Sequence, residues 1–165
     1  MAKDLRSWIE EIKRVAPKEL VTMEILVDPK WEVTAVVELL EGNDPSPAIL
    51  FENLLDLKGR RSPIRLLTSI HASRVRLGLT YGIAPDVVRR DPAAPTVEMA
   101  RRAERRIPPV CIPAAEAPCK ERVYRKGEMD LLCFPAVTQH ELDVGPYFTT
   151  LVVAADPDTG VHNIS

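Results

Sequence analysis

The chain has 165 residues, 45% of them hydrophobic, so it can bury the core of one ordinary domain or of two small ones. Its formal charge of -2, from 22 basic and 24 acidic residues, gives no electrostatic reason to expect nucleic acid or an anionic membrane as a partner. The sequence contains no signal-peptide core and no apolar run approaching ~18 residues, so we expect a soluble, cytoplasmic protein.

The first half of the chain alternates between helical and extended patterns. Asp4 is placed to cap a helix whose apolar residues recur at helical spacing up to Pro17. A strand is predicted over residues 20–26. A second helix is predicted from Asp28 and Pro29, with the aspartate as its cap, to Gly42.

The next elements are predicted from turn and capping residues. They are strands over 47–53 and 63–69 joined by a turn at 58–61, a short helix capped by Ser73, and a helix from Pro95 to about Arg106. Because helices and strands alternate up to this point, residues 1–107 are predicted to form an α/β layer domain.

The pattern changes after Ile107, where prolines are frequent and no helix is predicted. Strands are predicted over residues 120–124, 129–134, 147–154 and 161–164. Residues 108–165 therefore read as the start of a β-domain. Because its last strand reaches Ser165 with no further strand to pair with, we expect the chain to be incomplete and prone to associate.

Three cysteines, Cys111, Cys119 and Cys133, form no C-x-x-C pair. Neither a disulfide framework nor a zinc site has the expected spacing. We expect reduced, mostly buried thiols, with Cys133 acting as a small hydrophobic residue inside a strand.

Residues 156–160 read D-P-D-T-G between two apolar, strand-like runs. Pro157 fixes φ at a central turn position and Gly160 supplies a positive φ, so the pattern predicts a β-hairpin. On the residues alone this is only a turn, with Asn163 a polar residue on the returning strand.

The last third of the chain also carries an ordered set of family motifs. The matching residues are Asp130-Leu131, Pro135, Asp143, Gly145-Pro146-Tyr147, Thr149, Asp156-Pro157, Thr159-Gly160 and Asn163. The run P-A-I-L-F-E-N at 47–53 matches a P-A-L-L-F-E-N strand of the same family. By these motifs the chain resembles the UbiD-type decarboxylases, weakly in its first half and closely in its last third.

The resemblance implies an α+β fold class: an N-terminal α/β layer domain at 1–107, then the first strands of a split β-barrel flavin-binding domain at 108–165, which is incomplete. It implies a reversible carboxy-lyase that acts on an aromatic, heteroaromatic or α,β-unsaturated carboxylic acid, with prenylated FMN as the electron sink. This chain alone is expected to be inactive.

The resemblance also implies the site residues and partners. Asn163 corresponds to a ligand of a Mn²⁺ or Mg²⁺ ion that holds the flavin phosphate, and a neutral amide oxygen suits such a hard cation. Ser165 is expected beside that phosphate, and K⁺ is a further implied ion. The family's arginine, glutamate ligand and catalytic acids are expected beyond Ser165, so no catalytic residue is assigned here.

The expected partners are a small carboxylic acid, the remainder of the enzyme as a continuation or a second chain, and further copies in a homo-oligomer, but neither nucleic acid nor a membrane. A second hypothesis makes the chain a non-catalytic subunit or assembly module whose barrel a second chain completes. A third is a truncated gene or a proteolytic fragment.

Several other residues are predicted to be structural. His140 is expected to make a core or supporting hydrogen bond, and Asp143 with Gly145 to shape a turn. A basic cluster is expected to form a solvated helix face rather than an RNA site, because acidic residues are interleaved with it: Arg101, Arg102, Arg105 and Arg106, with Glu98 and Glu104.

Overall fold

The computed structural model describes residues 4–42, 46–105, 107–108, 110–148 and 152–164. Its helices and strands are, in chain order, α1 (Leu5–Val15), β1 (Leu20–Val27), α2 (Glu32–Glu41), β2 (Ala48–Leu54), β3 (Leu66–Thr68), α3 (Arg74–Thr80), α4 (Pro85–Arg90), α5 (Ala94–Glu104), β4 (Val153–Ala155) and β5 (His162–Ile164). Single 3-10 turns lie at Pro17–Glu19, Ala114–Glu116, Pro118–Lys120 and Leu131–Cys133. None of the helices in these ranges is long and apolar enough to cross a lipid bilayer.

A three-stranded sheet organises the first hundred residues. β2 lies in the middle, parallel to β1 and antiparallel to β3. Phe51 pairs with Met23 on one side and with Leu66 on the other. The run from Ala48 to Phe51 is fully buried, which explains why it is continuously apolar rather than alternating. The predicted strand at 47–53 is confirmed.

Helices bury their apolar faces in two separate clusters. Trp8, Ile9 and Ile12 of α1 pack with Leu79 of α3. On α2, Val33 joins a second cluster, whose other buried members are Val27, Ile49, Phe51 and Leu54. The sheet therefore has helical partners built from the predicted amphipathic segments, which confirms the alternating α/β organisation.

Two of the three predicted helix caps are present. Asp4 accepts a hydrogen bond from the Ser7 amide at 2.7 Å, and Ser73 Oγ accepts one from the Arg76 amide at 3.2 Å. The predicted cap at Asp28 is wrong, because α2 begins three residues after Pro29. Asp28 instead closes a tight turn, since its carboxylate accepts from the Lys30 amide at 2.8 Å.

Trp31, immediately before α2, has a φ of 72°. This left-handed conformation is unfavourable for a bulky side chain and is held by its surroundings. The Trp31 amide donates to the Thr138 carbonyl at 2.9 Å, and the Thr138 amide donates to the Pro29 carbonyl at 3.3 Å. The residues after 130 thus fix the start of α2.

Arg76 is fully buried and joins three loops of the α/β layer. Its Nη1 donates to Glu19 Oε2 and to the Ser46 carbonyl, each at 2.6 Å. Its Nη2 donates to the Ser69 carbonyl at 3.0 Å, and its Nε to the Ile70 carbonyl at 3.2 Å. Burial lowers the pKa of Arg76 from its ordinary value, and the Glu19 carboxylate opposes this shift.

The second half contains less regular structure than the sequence predicts. Residues 120–124 form no strand, and Leu131–Cys133 form a 3-10 turn instead of a strand. The reason for the turn is local, since the Asp130 carboxylate accepts from the Leu132 amide at 3.1 Å. Cys111 and Cys119 are exposed and Cys133 is half-buried, so the prediction of mostly buried thiols is wrong.

Candidate functional site

The predicted hairpin is present at residues 153–164. β4 and β5 pair antiparallel, and Asp156–Gly160 form the turn between them. The Asp156 carboxylate accepts from the Asp158 amide at 2.9 Å and from the Thr159 amide at 2.7 Å. Gly160 has a φ of 69°, as the turn requires. These bonds set the direction in which β5 returns.

Asn163 lies in the middle of β5, opposite Ala154 of β4. Its side chain is exposed, and its Oδ1 accepts a hydrogen bond from the Ile164 amide at 2.9 Å. An amide oxygen has two lone pairs, so this bond leaves one for another partner. Ala154 is small and leaves space beside the asparagine. Ser165, the other predicted site residue, lies outside the described residues.

Asp143 organises the loop that leads toward the hairpin. Its Oδ2 accepts from the Gln139 and His140 amides, both at 2.8 Å. Tyr147 then bridges antiparallel to Val137, with its amide donating to the Val137 carbonyl at 3.0 Å. The turn-shaping role predicted for Asp143 is confirmed. His140 is exposed, so a core position for it is wrong.

The segment from residue 130 onward contacts the α/β layer at two places. Lys58, in the turn after β2, forms an ion pair with Asp130, and the Leu57 amide donates to the Leu132 carbonyl at 3.1 Å. The hydrogen bond from Lys58 holds the pKa of Asp130 below its ordinary value. The second contact is the pair of hydrogen bonds between Thr138 and the loop before α2.

Two arginines of the predicted basic cluster form ion pairs within α5. Arg101 and Arg102 each donate to the Glu98 carboxylate at 2.7 Å, and both arginines are exposed. These hydrogen bonds, first Arg101 and then Arg102, lower the pKa of Glu98 to about 2. The predicted solvated face is confirmed for this pair of arginines, whereas Arg106 falls among the residues not described.

The donor set around Asn163 fits one ligand of a hard cation. A neutral amide oxygen on a strand is a suitable ligand for Mn²⁺ or Mg²⁺. Within the described ranges, no group of three His, Cys, Asp or Glu side chains is arranged to hold a metal ion. His162 precedes Asn163 in β5 and therefore projects from the opposite face of the hairpin.

The Asp156 carboxylate should make the stability of the turn depend on pH. The Thr159 amide, followed by the Thr159 hydroxyl and the Asp158 amide, lowers the pKa of Asp156. The pKa of Asp156 in the folded chain thus lies below the unfolded value of about 3.9. The ionised carboxylate therefore stabilises the turn above that value, and this stabilisation is lost as the pH falls through the folded pKa.

The Thr159 amide shift, followed by NMR, should titrate below the ordinary aspartate value. In Asp156→Asn, which keeps the acceptor oxygen, this transition should disappear; a midpoint in the ordinary range would contradict the role of the turn bonds.

Two family models match this chain in succession. Residues 14–91 match the 3-octaprenyl-4-hydroxybenzoate carboxy-lyase N-terminal domain, and residues 111–165 match the 3-octaprenyl-4-hydroxybenzoate carboxy-lyase Rift-related domain. Both models describe UbiD, and together they span most of the sequence, with the N-terminal domain first and the Rift-related domain second. The chain belongs to the UbiD family.

Individual UbiD relatives agree with this assignment. Pyrrole-2-carboxylic acid decarboxylase of Pseudomonas aeruginosa is 31% identical over 154 residues, which are 90% of this chain and 29% of the relative. The apo structure of the 3,4-dihydroxybenzoic acid decarboxylase from Enterobacter cloacae is 30% identical with a TM-score of 0.78, covering 99% of this chain and 34% of that one.

A solved flavin complex is also similar. An evolved dimeric form of the UbiD-class enzyme HmfF from Pelotomaculum thermopropionicum, in complex with prFMN, is 25% identical with a TM-score of 0.76. The match covers 99% of this chain and 35% of that enzyme. The chain thus spans about a third of the length of these relatives. Its mixed α and β fold is that of the corresponding region of UbiD-class structures.

Proposed function

We propose that this chain supplies the N-terminal α/β domain, residues 1–107, and the first strands of the flavin-binding split barrel, residues 108–165, of a UbiD-type decarboxylase. The substrate class is an aromatic, heteroaromatic or α,β-unsaturated carboxylic acid, and the cofactor is prenylated FMN. One observation carries the proposal: in a chain of this family, the hairpin presents Asn163 with a lone pair free and a small residue opposite.

The role of the chain's own residues is to anchor the cofactor. Bound prenylated FMN supplies the electron sink for loss of CO₂. Asn163 would give one oxygen to the Mn²⁺ or Mg²⁺ ion that holds the flavin phosphate, with Ser165 beside that phosphate and K⁺ as a further ion. The Asp156 turn fixes the return of β5, and so the position of Asn163.

The exposed apolar surface after residue 106 supports the proposal that another part of the enzyme packs against it. Pro135 and Ala136 are the buried apolar residues among those described there. Many large apolar side chains are exposed instead: Ile107, Val110, Ile112, Val123, Tyr124, Met129, Leu131, Leu132, Leu142, Val144, Tyr147, Phe148, Val152, Val153, Val161 and Ile164. Such a surface is typical of a contact site. We propose that the remainder of the enzyme packs here, as a continuation or a second chain, within a homo-oligomer.

A non-catalytic assembly module is the second candidate, because the same apolar surface fits a second chain as well as a continuation of this one.

The test uses the native assembly, purified from cells that make prenylated FMN. We expect a flavin absorbance spectrum, bound divalent metal, and CO₂ release from at least one of pyrrole-2-carboxylate, 3,4-dihydroxybenzoate or cinnamate. Intact mass then tells whether one polypeptide or two carry the activity. A flavin-loaded, metal-loaded assembly that releases no CO₂ from a broad acid panel would favour the non-catalytic module.

A further inference from the structure

β1 lies at one edge of the three-stranded sheet. It pairs with β2 along one side, and no described residue forms a strand pair with its other side. β1 has eight residues, whereas β3, at the opposite edge, has three. An edge strand of this length presents a row of backbone amides and carbonyls that can pair with another strand.

β1 also exposes apolar side chains near its C-terminal end. Ile25 is 64% exposed and Leu26 is 54% exposed. A bulge between Met23 and Leu26 in the pairing with β2 interrupts the alternation of the strand and leaves these two neighbours outside the core. Glu24 is the one charged residue of the strand, which contains neither lysine nor proline, the residues that commonly protect an exposed edge. Such an edge favours a protein partner.

The two ends of β1 carry opposite charges. Lys18 is exposed in the turn just before the strand. Asp28 follows the strand directly, and Glu32 lies beside it, since the Glu32 carboxylate accepts a hydrogen bond from the Asp28 amide at 2.7 Å. A second copy of β1 in antiparallel orientation places each basic end against an acidic end, whereas a parallel copy would place like charges together.

The remaining charged groups at these ends have partners within the chain. Glu19, at the basic end, forms an ion pair with Arg76 at 2.6 Å. At the acidic end, the Lys30 ammonium lies 4.5 Å from the centre of the Trp31 ring. These contacts leave the basic and acidic ends of β1 with the charges described.

One antiparallel register suits the side chains. A twofold axis beside Met23 sets Lys18 of each copy opposite Asp28 of the other, and Glu24 opposite Thr22. A carboxylate opposite a hydroxyl is a favourable cross-strand pair. An axis beside Glu24 would instead set two carboxylates opposite each other, which is destabilising.

We infer that β1 is a self-association surface, at which β1 of a second copy of this chain pairs antiparallel and joins the two sheets into one. The inference names the contact face of the proposed homo-oligomer and rests on that part of the proposed function. It depends on neither the cofactor nor the substrate. β1 is separate from the apolar surface after residue 106, against which the remainder of the enzyme is proposed to pack.

The first test measures the native mass of the full protein by analytical ultracentrifugation. Ile25→Lys places a cation on the exposed edge and should halve the mass at a concentration at which the parent is fully assembled. Leu39→Lys is the matched control and should keep the parent's mass, because Leu39 is 79% exposed on α2 rather than on the sheet edge. An unchanged mass for Ile25→Lys overturns the inference, and a lowered melting temperature at that mass would assign the edge to the remainder of the enzyme.

The second test detects the contact between the two ends. Lys18→Glu should weaken association about tenfold, because it sets a glutamate opposite Asp28 of the other copy. Asp28→Asn in the same chain should restore most of this loss, and it keeps an oxygen to accept from the Lys30 amide. Association constants that change independently in the two variants overturn the assigned register.

Within one copy, Lys18 and Asp28 lie at opposite ends of an eight-residue strand. At ~3.3 Å per residue they are roughly 26 Å apart, well beyond the ~10 Å over which exposed charges interact at 0.1 M salt. Coupling between the two substitutions therefore reports a contact between copies.

Two outcomes separate this inference from the proposed function. A parent protein with the native mass of a single copy would contradict both the homo-oligomer and the β1 contact. An assembly that Ile25→Lys leaves intact contradicts only the β1 contact. Flavin content and CO₂ release, read from the same samples, decide the decarboxylase proposal independently.

Discussion

Asn163→Ala is expected to abolish decarboxylation and cofactor retention in the complete enzyme while leaving its fold intact. The substitution removes the side-chain oxygen proposed to ligate the metal, and alanine fits the same position of β5 opposite Ala154. Even changes to residues that only support a ligand cost ~10–100-fold in metal affinity, so loss of a ligand should cost at least that much. Metal analysis, the flavin spectrum and CO₂ release from the preferred acid report the three losses.

Two variants control for damage to the hairpin. Asp158→Ala lies in the same turn, and the bonds to Asp156 come from the backbone amides, so the turn and full turnover should persist. Asn163→Asp keeps an oxygen ligand and should recover part of the bound metal, since carboxylates also ligate hard cations. The thermal melting of metal-free Asn163→Ala should equal that of the parent. Full cofactor occupancy and turnover in Asn163→Ala would show that the metal-ligand proposal is wrong.

Local signals in the sequence predicted the elements that depend on local chemistry. Asp4 and Ser73 cap their helices because their side chains reach amides three residues on, and D-P-D-T-G forms its turn through Asp156. The central strand β2 was predictable because an uninterrupted apolar run needs cover on both faces.

The features that depend on distant contacts were not predictable from such signals. Asp28-Pro29 has the residue types of a helix start, yet Thr138 holds Trp31 in a left-handed conformation and moves the start of α2 to Glu32. The apolar run at 131–133 has a strand composition, but the Asp130 carboxylate closes it into a turn. The split barrel remains a prediction, because β4 and β5 form a separate two-stranded sheet.

The role of Arg76 was also missed, since its partners Glu19, Ser46 and Ser69 lie far apart in sequence. Within α3 it is simply a basic residue, and only its complete burial distinguishes it from exposed Arg74 on the same helix.

Arg76→Met is expected to lower the free energy of unfolding by roughly 3–5 kcal/mol, because it leaves the Glu19 carboxylate buried without its ion-pair partner and removes the hydrogen bonds of Arg76 to backbone carbonyls. This is a large fraction of the ~5–15 kcal/mol that stabilises an ordinary domain. Urea unfolding, followed by circular dichroism, measures the change as a shift in the midpoint.

The matched control is Arg74→Met, which removes a charge of the same kind from the exposed face of α3. It should shift the urea midpoint little, because the hydrogen bond that Arg74 makes among the described residues, to the Pro92 carbonyl at 3.0 Å, is exposed. The double variant Arg76→Met/Glu19→Met should be more stable than Arg76→Met alone, since it no longer buries an unpaired charge. If Arg76→Met instead unfolds at the parent's midpoint, then Glu19 has reached solvent without it, and the three loops that Arg76 joins are held by their apolar packing alone.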